Sequence, residues 1–178
     1  MLTIARKSTL EIVPADEEDA RTLERLIDLY CYDYSEFDEA DVLDSGSYEY
    51  IDVAQYVKKK TNYPHFIKYN GKYAGFALIQ KITDETGTFW YLQDYFIMRK
   101  YRQYGLGRKV ATRLFDSLQG EWEVRQDATN VPAQKFWKKV IGTYTNEQYR
   151  SITRKKWDGP IQRFNSGDFY DEDRRQVI

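Results

Sequence analysis

The segment spanning residues 91–115 constrains the fold of this chain more than any other part of the sequence. It begins as an apolar strand through residues 95–97, continues into a basic loop containing Gly105 and Gly107, and then takes on the spacing of an amphipathic helix. N–H groups at a helix N-terminus have no intrahelical partner and lie at the positive end of the helix dipole. Because glycine lets an anion approach the backbone closely, this pattern predicts a phosphate-binding loop.

Two common phosphate motifs do not fit this loop. A P-loop requires GxxxxGK[ST], and a dinucleotide fingerprint requires a third glycine after Gly105-x-Gly107; both are missing. The pattern [Q/R]-x-x-G-x-[G/A] does fit, through Arg102, Gly105 and Gly107. Two glycines in a turn are more often plain turn residues, but their place between a strand and an amphipathic helix favours a binding role. Five cations surround them, namely Arg99, Lys100, Arg102, Arg108 and Lys109.

The remaining pattern predicts one α/β (α+β) domain over residues 1–178, with the element order βααβββαβαββ and a single mixed sheet. Strands are predicted at residues 9–13, 63–69, 73–81, 89–98, 121–126, 148–153 and 160–165. Helices are predicted after a cap at Asp16 and at residues 48–59, 105–118 and 132–140. Residues 33–44 carry six acids and predict a loop or broken helix, and residues 166–178 predict a polar tail.

Charge and composition exclude several classes of protein. The 27 Lys and Arg residues nearly balance 28 Asp and Glu residues, whereas nucleic-acid binders usually carry a basic surplus. The longest apolar run, residues 74–79, is far shorter than the ~20 residues of a membrane helix, and residues 1–13 do not resemble a signal peptide. A single cysteine, Cys31, supports neither an internal disulfide nor a cysteine-based zinc site. We therefore expect a cytoplasmic protein with no metal and no nucleic-acid or membrane partner.

Residues 102–107 resemble motif A of the GNAT (GCN5-related N-acetyltransferase) superfamily, in which this loop binds the pyrophosphate of acetyl-CoA. A second segment, NVPAQKFW at residues 130–137 followed by Gly142, is similar to the N-x-x-A-x-x-F-Y…G-F segment of that family. The element order over residues 9–165 also agrees. The resemblance implies the GNAT fold, a mostly antiparallel mixed sheet of six to seven strands flanked by about four helices, with a V-shaped splay between the fourth and fifth strands.

The resemblance also implies the residues that bind acetyl-CoA. Main-chain groups of the fourth strand would line a channel for the pantetheine arm, with one N–H polarising the thioester carbonyl, and N–H groups of residues 103–108 would hold the pyrophosphate. The implied binding set is Tyr95, Phe96, Ile97, Arg102, Gln103, Tyr104, Gly105, Leu106, Gly107, Arg108, Asn130 and Trp137. Asn130 is equally typical of a helix N-cap ahead of Pro132, and the two roles are compatible.

The implied reaction is N-acetyl transfer, in which a primary amine attacks the thioester directly and a base removes a proton from the amine. Glu123 resembles the base of an E-V-R run in some members, although Asn130 lies two residues further from that run here; Asp94 is the second candidate base. Trp137 replaces a tyrosine that protonates the departing thiolate in many members, and an indole cannot act as that acid. Tyr144 is a candidate replacement, and the thiolate could instead leave through water.

Further expectations concern function and partners. The alternative to an enzyme is a catalytically weak CoA-binding regulatory module, which the tryptophan at position 137 favours. Acids concentrate at residues 33–44 and bases at residues 99–109, which would suit an anionic cofactor on one side of a cleft and a cationic amine or basic peptide on the other. Nine of the 16 tyrosines lie at residues 30–73 and are expected to line the acceptor side. Either a monomer or a homodimer fits the sequence.

Overall fold

The computed structural model describes residues 8–102 and 105–169. The strands are β1 (Leu10–Pro14), β2 (Asn62–Tyr69), β3 (Lys72–Asp84), β4 (Gly87–Ile97), β5 (Glu121–Arg125), β6 (Arg150–Arg154) and β7 (Trp157–Asn165). The helices are α1 (Ala20–Asp38), α2 (Val53–Tyr56), α3 (Leu106–Ser117) and α4 (Val131–Thr145). Two short 3-10 helices span Arg99–Tyr101 and Ser166–Phe169. The predicted order of strands and α-helices is confirmed.

One seven-stranded sheet runs through the described residues in the order β1-β2-β3-β4-β5-β7-β6. Among the described strands only the β4–β5 pair is parallel, and α3 supplies the crossover that a parallel connection requires. The other neighbours pair antiparallel. The predicted α/β class with a mostly antiparallel mixed sheet of the GNAT type is therefore confirmed.

The strands β4 and β5 separate after a short paired stretch. Their parallel pairing covers three residue pairs, from Trp90 with Trp122 to Leu92 with Val124, whereas β4 continues to pair with β3 as far as Ile97. Gln93 is an extra residue in β4, a β-bulge at the point where the pairing with β5 ends. Because a bulge bends its strand and increases the local twist, the end of β4 leaves β5 and opens the predicted V-shaped cleft.

The bulge also shifts the alternation of side chains along β4. Leu92 packs in the core between the sheet and the helices α3 and α4. Strict alternation would place Asp94 on that same face. Instead Phe96 packs in the second core, beneath α1 and α2, while Ile97 returns to the first core. Asp94 lies two residues before Phe96 in the strand, so its side chain is on the same face and points toward α1.

The helices of the N-terminal half differ from the prediction. α1 begins at Ala20 rather than directly after Asp16, and it continues to Asp38, so half of the predicted acidic loop is helical. The helix predicted at residues 48–59 is reduced to α2, which Asp52 caps by accepting a hydrogen bond from the Gln55 N–H. The residues before α2 are instead held against α1, because Asp28 accepts hydrogen bonds from the Ser47 hydroxyl and the Tyr48 N–H.

The C-terminal elements are longer than expected. α4 continues past Gly142 to Thr145 instead of ending near Val140. The predicted polar tail from residue 166 begins with a packed turn, since Ser166 is buried and Phe169 packs against Tyr144. The rest of that tail, residues 170–178, lies outside the described residues. Across residues 8–102 and 105–169, no helix combines the length and apolar character needed to cross a membrane.

Candidate functional site

The N-terminus of α3 lies at the mouth of the cleft. Gly105 is its N-cap, with φ +69° in the left-handed region that favours glycine. The first i→i−4 bond runs from the Lys109 N–H to the Gly105 carbonyl, so the three preceding N–H groups lie at the open, positive end of the helix. Among the described residues, no heavy atom lies within 4 Å of the position a Cβ of Gly105 would take. The predicted residues Gln103 and Tyr104 lie outside the described residues.

Arg102 and Arg99 join the basic loop to α1. The Arg102 guanidinium donates through Nε to the Ile97 carbonyl (2.7 Å) and through its terminal nitrogen to Asp33, and Arg99 donates to the same carboxylate (2.6 Å). Burial raises the pKa of Asp33, but these bonds from Arg102 and Arg99 outweigh it and hold that pKa below its ordinary value. The acidic and basic stretches of the sequence therefore meet directly at one point, which a layout on opposite sides of a cleft did not predict.

The start of α4 closes the cleft opposite β4. Asn130 is the N-cap of α4 and accepts a hydrogen bond from the Ala133 N–H at 3.0 Å. The Phe136 ring stacks on Tyr95, and Trp137 packs edge-on against the same tyrosine at 5.1 Å. A Cβ on Gly107 would lie 3.2 Å from the Phe136 ring, so glycine allows α3 and α4 to approach closely here.

These elements suit a ligand with an anionic group and an amide-bearing arm. The exposed cations of the loop flank the N-terminus of α3 along the chain: Arg99, Lys100, Arg102, Arg108 and Lys109. Beside them, β4 continues beyond its last pair with β5 over residues 93–97. Its main-chain groups on that edge are available to a bound arm, apart from the Ile97 carbonyl, which accepts from Arg102. Coenzyme A is a ligand of this kind, since its pyrophosphate is followed by an amide-bearing pantetheine arm.

Asp94 lies on the other face of β4, in an aromatic enclosure. Its side chain is buried, with the residue only 4% exposed. One carboxylate oxygen accepts from the Tyr50 hydroxyl at 3.2 Å and the other from the Gln93 amide at 3.0 Å, and Tyr30 also hydrogen-bonds to it. Burial raises the pKa of Asp94 to about 6, more than these hydrogen bonds lower it.

The titratable groups that face Asp94 remain neutral at pH 7. They come from α1, the loop before α2, α2 itself and β4: Tyr30, Cys31, Tyr50, Tyr56 and Tyr91. Burial, followed by the charge of Asp94, raises the pKa of the Cys31 thiol to about 12 and raises the pKa of Tyr50 as well. Within the described part of the chain none of these neighbours is a cation. A buried carboxylate with a pKa near neutrality and no cationic partner is suited to accept a proton.

Glu123 has a different environment. It is completely buried, and both carboxylate oxygens bond to guanidinium groups: Arg125 at 2.6 Å, Arg154 at 2.6 Å and Arg163 at 3.7 Å. Arg154 and Arg163 come from β6 and β7, so Glu123 joins three neighbouring strands. A depression of about 430 Å³ opens beside this cluster, and its arginines are paired with carboxylates. The arrangement favours a structural role for Glu123.

Tyr144 lies in the core behind the cleft. Its hydroxyl donates to Asp116 of α3 at 2.7 Å, and its ring packs against Phe115 and Phe164. These contacts favour a role in packing α4 onto α3 and β7. The tyrosines that do approach the candidate base, Tyr30, Tyr50 and Tyr91, were predicted only as members of a tyrosine-rich stretch or not at all. The absence of any Lys or Arg from residue 26 to residue 57 is a sequence signal that could have singled out this stretch, although it does not distinguish Tyr50 from the other tyrosines there.

Comparisons with known proteins agree with this geometry. Comparison with curated protein sequences gives no match. An acetyltransferase from Thermus thermophilus superposes with a TM-score of 0.65 at 15% identity, covering 88% of this chain and 97% of that one. PaiA N-acetyltransferase from Thermoplasma acidophilum, solved with coenzyme A, superposes with a TM-score of 0.59 at 13% identity, covering 88% of this chain and 99% of that one.

An aminoglycoside acetyltransferase, meta-AAC0020 from an uncultured soil metagenomic sample, was solved with sisomicin; it gives a TM-score of 0.60 at 18% identity and covers 83% and 95% of the two chains. Because the sequence identities are this low, the similarity to these three structures establishes the fold of this chain and nothing about its substrate. A family model, that of the Acetyltransferase (GNAT) family, matches residues 23–143. Because this match spans more than half of the 178 residues, the protein belongs to the GNAT acetyltransferase family.

Proposed function

We propose that this protein transfers the acetyl group of acetyl-CoA to a primary amine by direct attack of the amine on the thioester, with Asp94 as the general base. The observation that carries the proposal is the position of Asp94, a buried carboxylate without a cationic partner, at the bulge where β4 leaves β5. Family membership supports acetyl transfer, and the residues, the acceptor and the mechanism are our proposal.

The cofactor-binding residues act through main-chain groups and charge. N–H groups of Leu106, Gly107 and Arg108 would bind the pyrophosphate, helped by the exposed cations of the loop. The free edge of β4 would bind the pantetheine arm, and Asn130 would approach it from α4. Bound acetyl-CoA supplies the thioester carbonyl that the amine attacks. An N–H within residues 95–97 would stabilise negative charge on that carbonyl oxygen, and loss of a comparable donor costs ~3–4 kcal/mol elsewhere.

Asp94 has the proton affinity that this reaction needs. A primary amine with a pKa near ~10 is mostly protonated at pH 7 and cannot attack until it loses a proton. With a pKa of about 6, Asp94 is ionised at neutral pH and can accept that proton. Glu123, held by three guanidinium groups, is the less suitable base of the two predicted carboxylates.

Trp137 leaves the protonation of the thiolate to another group. Its ring is buried against Tyr95 and Phe136, and its indole N–H is a donor that does not titrate in this range. The proton held by Asp94 can return to the thiolate or leave through water. The same tryptophan favours the second candidate function, a CoA-binding module with little turnover.

The acceptor is proposed from the surroundings of Asp94. Nine acids and six tyrosines, but no Lys or Arg, occupy residues 26–57, which form most of α1, the following loop and α2. Such a surface attracts cationic amines. Sisomicin, present in the aminoglycoside acetyltransferase structure, is one such amine and is a suitable probe.

Thermal unfolding with acetyl-CoA tests the cofactor part of the proposal. We expect saturating acetyl-CoA to raise the Tm, because a ligand that binds only the native state stabilises it. Gly105→Trp should abolish the shift by filling the open space at the N-terminus of α3. Gly71→Trp is the matched control, since Gly71 also has a positive φ and open space at its Cβ but lies in the β2–β3 turn. No shift in the unmutated protein would contradict the proposal.

Release of free CoA thiol tests turnover. The probes are sisomicin, spermidine and a lysine-rich peptide, each with and without protein. Thiol release with at least one probe, lost in Asp94→Asn, supports the enzyme. A Tm shift with acetyl-CoA but no thiol release on any probe favours the CoA-binding module instead.

A further inference from the structure

The carboxylate of Asp94 is not accessible to an acceptor in this structure. The residue is 4% exposed, and both oxygens are occupied by hydrogen bonds from neighbouring side chains. A proton moving from an amine to Asp94 must therefore pass through a side chain that already bonds to it. Three side chains do so: Gln93, Tyr30 and Tyr50.

Only one of these three side chains combines relay chemistry with access to solvent. The Gln93 amide donates a hydrogen bond but does not accept and pass on a proton as a hydroxyl does. Tyr30 packs edge-on against Phe76 and Phe96 at 5.7 and 5.8 Å, on the core side of α1. Tyr50 is 48% exposed while its hydroxyl lies 3.2 Å from Asp94.

The backbone before Tyr50 is held in an uncommon conformation. Glu49 has φ +47°, a region that residues other than glycine adopt rarely. The Ser47 hydroxyl accepts from the Glu49 N–H, and the same hydroxyl donates to Asp28 of α1. This conformation is therefore fixed by contacts on both sides, which directs Tyr50 back over β4, where its ring lies 6.2 Å from Tyr30.

We infer that Tyr50 is a catalytic residue that contacts the acceptor amine and relays its proton to Asp94. The inference rests on the proposed acetyl transfer. As the amine loses an N–H bond, its proton forms a new O–H bond on Tyr50, and the former Tyr50 proton moves to the Asp94 carboxylate. Tyr50 is neutral before and after, Asp94 becomes a neutral acid, and the amine keeps the electron pair with which it attacks the thioester.

The charged and titratable groups around the pair are compatible with this relay. Those facing Asp94 are Tyr30 and Cys31 of α1, Tyr56 of α2 and Tyr91 of β4, together with Tyr50 itself. Burial and then the charge of Asp94 raise the pKa of Tyr50 above its ordinary value, so the phenol stays protonated at neutral pH and can donate to the ionised Asp94.

The test compares wild type with Tyr50→Phe and the matched control Tyr48→Phe, using sisomicin, spermidine and a lysine-rich peptide as acceptors between pH 5 and 9. Tyr48 lies in the same loop and is not among the donors to Asp94. We expect Tyr50→Phe to lower kcat by about 100-fold, within the range for general base catalysis. The acetyl-CoA-induced Tm shift should be retained, and Tyr48→Phe should stay within about threefold of wild type.

Two further readouts separate a relay from a structural role. In the double variant Asp94→Asn/Tyr50→Phe, kcat should be no lower than in the slower single variant, because the two residues act as a unit. In ¹³C NMR titration of the Asp94 carboxyl, Tyr50→Phe should raise the pKa, since a donor to the charged form is lost. Additive losses in the double variant, or an unchanged pKa, would overturn the relay.

The outcomes also separate this inference from the proposed function. If wild type releases thiol and Tyr50→Phe retains full kcat, the relay is wrong and the acetyl transfer stands. If Tyr50→Phe loses the Tm shift together with activity, the residue is structural and the relay is likewise wrong. If wild type releases no thiol with any of the three acceptors, the proposed function fails and the relay fails with it.

Discussion

The hydroxyl of Tyr95 donates a 2.6 Å hydrogen bond to the carbonyl of Gly107, so the strand that lines the cleft is bonded to the first turn of the helix at its mouth. This bond connects β4 to α3 at the point where the proposed pantetheine and pyrophosphate sites meet. The Tyr95 ring is held in addition by Phe136 and Trp137 of α4. One side chain thus sets the relative position of three elements.

Tyr95→Phe tests this connection, since it removes the hydroxyl and keeps the ring. We expect the free energy of unfolding to fall by about 1 kcal/mol, the usual net value of one hydrogen bond. Acetyl-CoA affinity, measured by calorimetry, should fall several-fold because the first turn of α3 loses its support. Tyr63→Phe, a tyrosine that packs on Trp90 away from the cleft, is the control. Unchanged affinity in Tyr95→Phe would show that the bond does not position the loop.

We expect Asp94→Asn to lower activity and to raise the free energy of unfolding relative to wild type as the pH rises. Burial raises the pKa of Asp94 from its ordinary value near ~3.9 to about 6, so the native state binds this proton more tightly than the unfolded state. The contribution of Asp94 to the free energy of unfolding is therefore largest below pH ~4 and is lost as the pH rises through about 6. A shift of two pKa units corresponds to roughly 2–3 kcal/mol.

Urea unfolding at pH 4 and pH 8 measures this effect. Relative to wild type, Asp94→Asn should gain about 2–3 kcal/mol in stability on going from pH 4 to pH 8, because the variant acquires no buried charge at position 94. Asp44→Asn, an exposed acid of the loop before α2, should show no such trend. If the free energies of unfolding of Asp94→Asn and wild type differed by the same amount at both pH values, the raised pKa of Asp94 would be ruled out.

Glu123→Gln should affect stability much more than catalysis. The neutral amide leaves the buried guanidinium of Arg163 and the partly buried ones of Arg125 and Arg154 without their shared charge partner. Breaking a buried ion pair from one side typically costs about 3–5 kcal/mol. Thiol release, measured well below the lowered Tm, should stay within a few-fold of wild type.

The control for Glu123→Gln is Glu85→Gln in the exposed β3–β4 turn. This substitution should leave both the free energy of unfolding and thiol release unchanged. A loss of kcat in Glu123→Gln with unchanged stability would instead identify Glu123 as the base and remove the argument for Asp94.

Gly75→Ala should disturb the end of β4. A Cβ at Gly75 would lie 1.8 Å from the Phe96 carbonyl oxygen, so the backbone of one strand must move. We expect a loss of about 1–3 kcal/mol or more in the free energy of unfolding and a smaller acetyl-CoA-induced Tm shift. Gly87→Ala is the control, because its Cβ meets open space and its cost comes only from φ +110°. If the two substitutions had equal effects on the acetyl-CoA-induced Tm shift, the close approach at Gly75 would not be what positions the end of β4.

The sequence predicted the fold well because its strongest patterns are local. The alternation of apolar residues in strands and the glycines that open α3 are properties of short segments, and together they gave the correct order of strands and helices. The helix limits near α2 were wrong because a long-range contact decides them. Asp28 on α1 holds residues 47 and 48 in a non-helical conformation, and local propensity contains no information about that contact.

The candidate site was only partly predictable for the same reason. The glycine loop and the Asn130 cap are readable from the sequence, whereas the difference between Glu123 and Asp94 is not. Glu123 is paired by Arg154, which lies 31 residues away, and Asp94 is enclosed by Tyr30 and Tyr50, which lie 64 and 44 residues away. Which carboxylate is free to accept a proton depends on these distant partners.

The bulge at Gln93 determines which face of the sheet each later side chain of β4 occupies relative to Leu92. If β4 kept all its residues but the bulge were straightened, alternation counted from Leu92 would turn Asp94 toward the α3 and α4 side and Tyr95 toward α1. Deletion of Gln93 would instead leave Asp94 directly after Leu92 on the opposite face, so Asp94 and Tyr95 would keep their present faces and only the bulge would be lost. Comparisons of this strand with distant relatives must accordingly be anchored on the bulge, because counting from either end of β4 gives answers that differ by one residue.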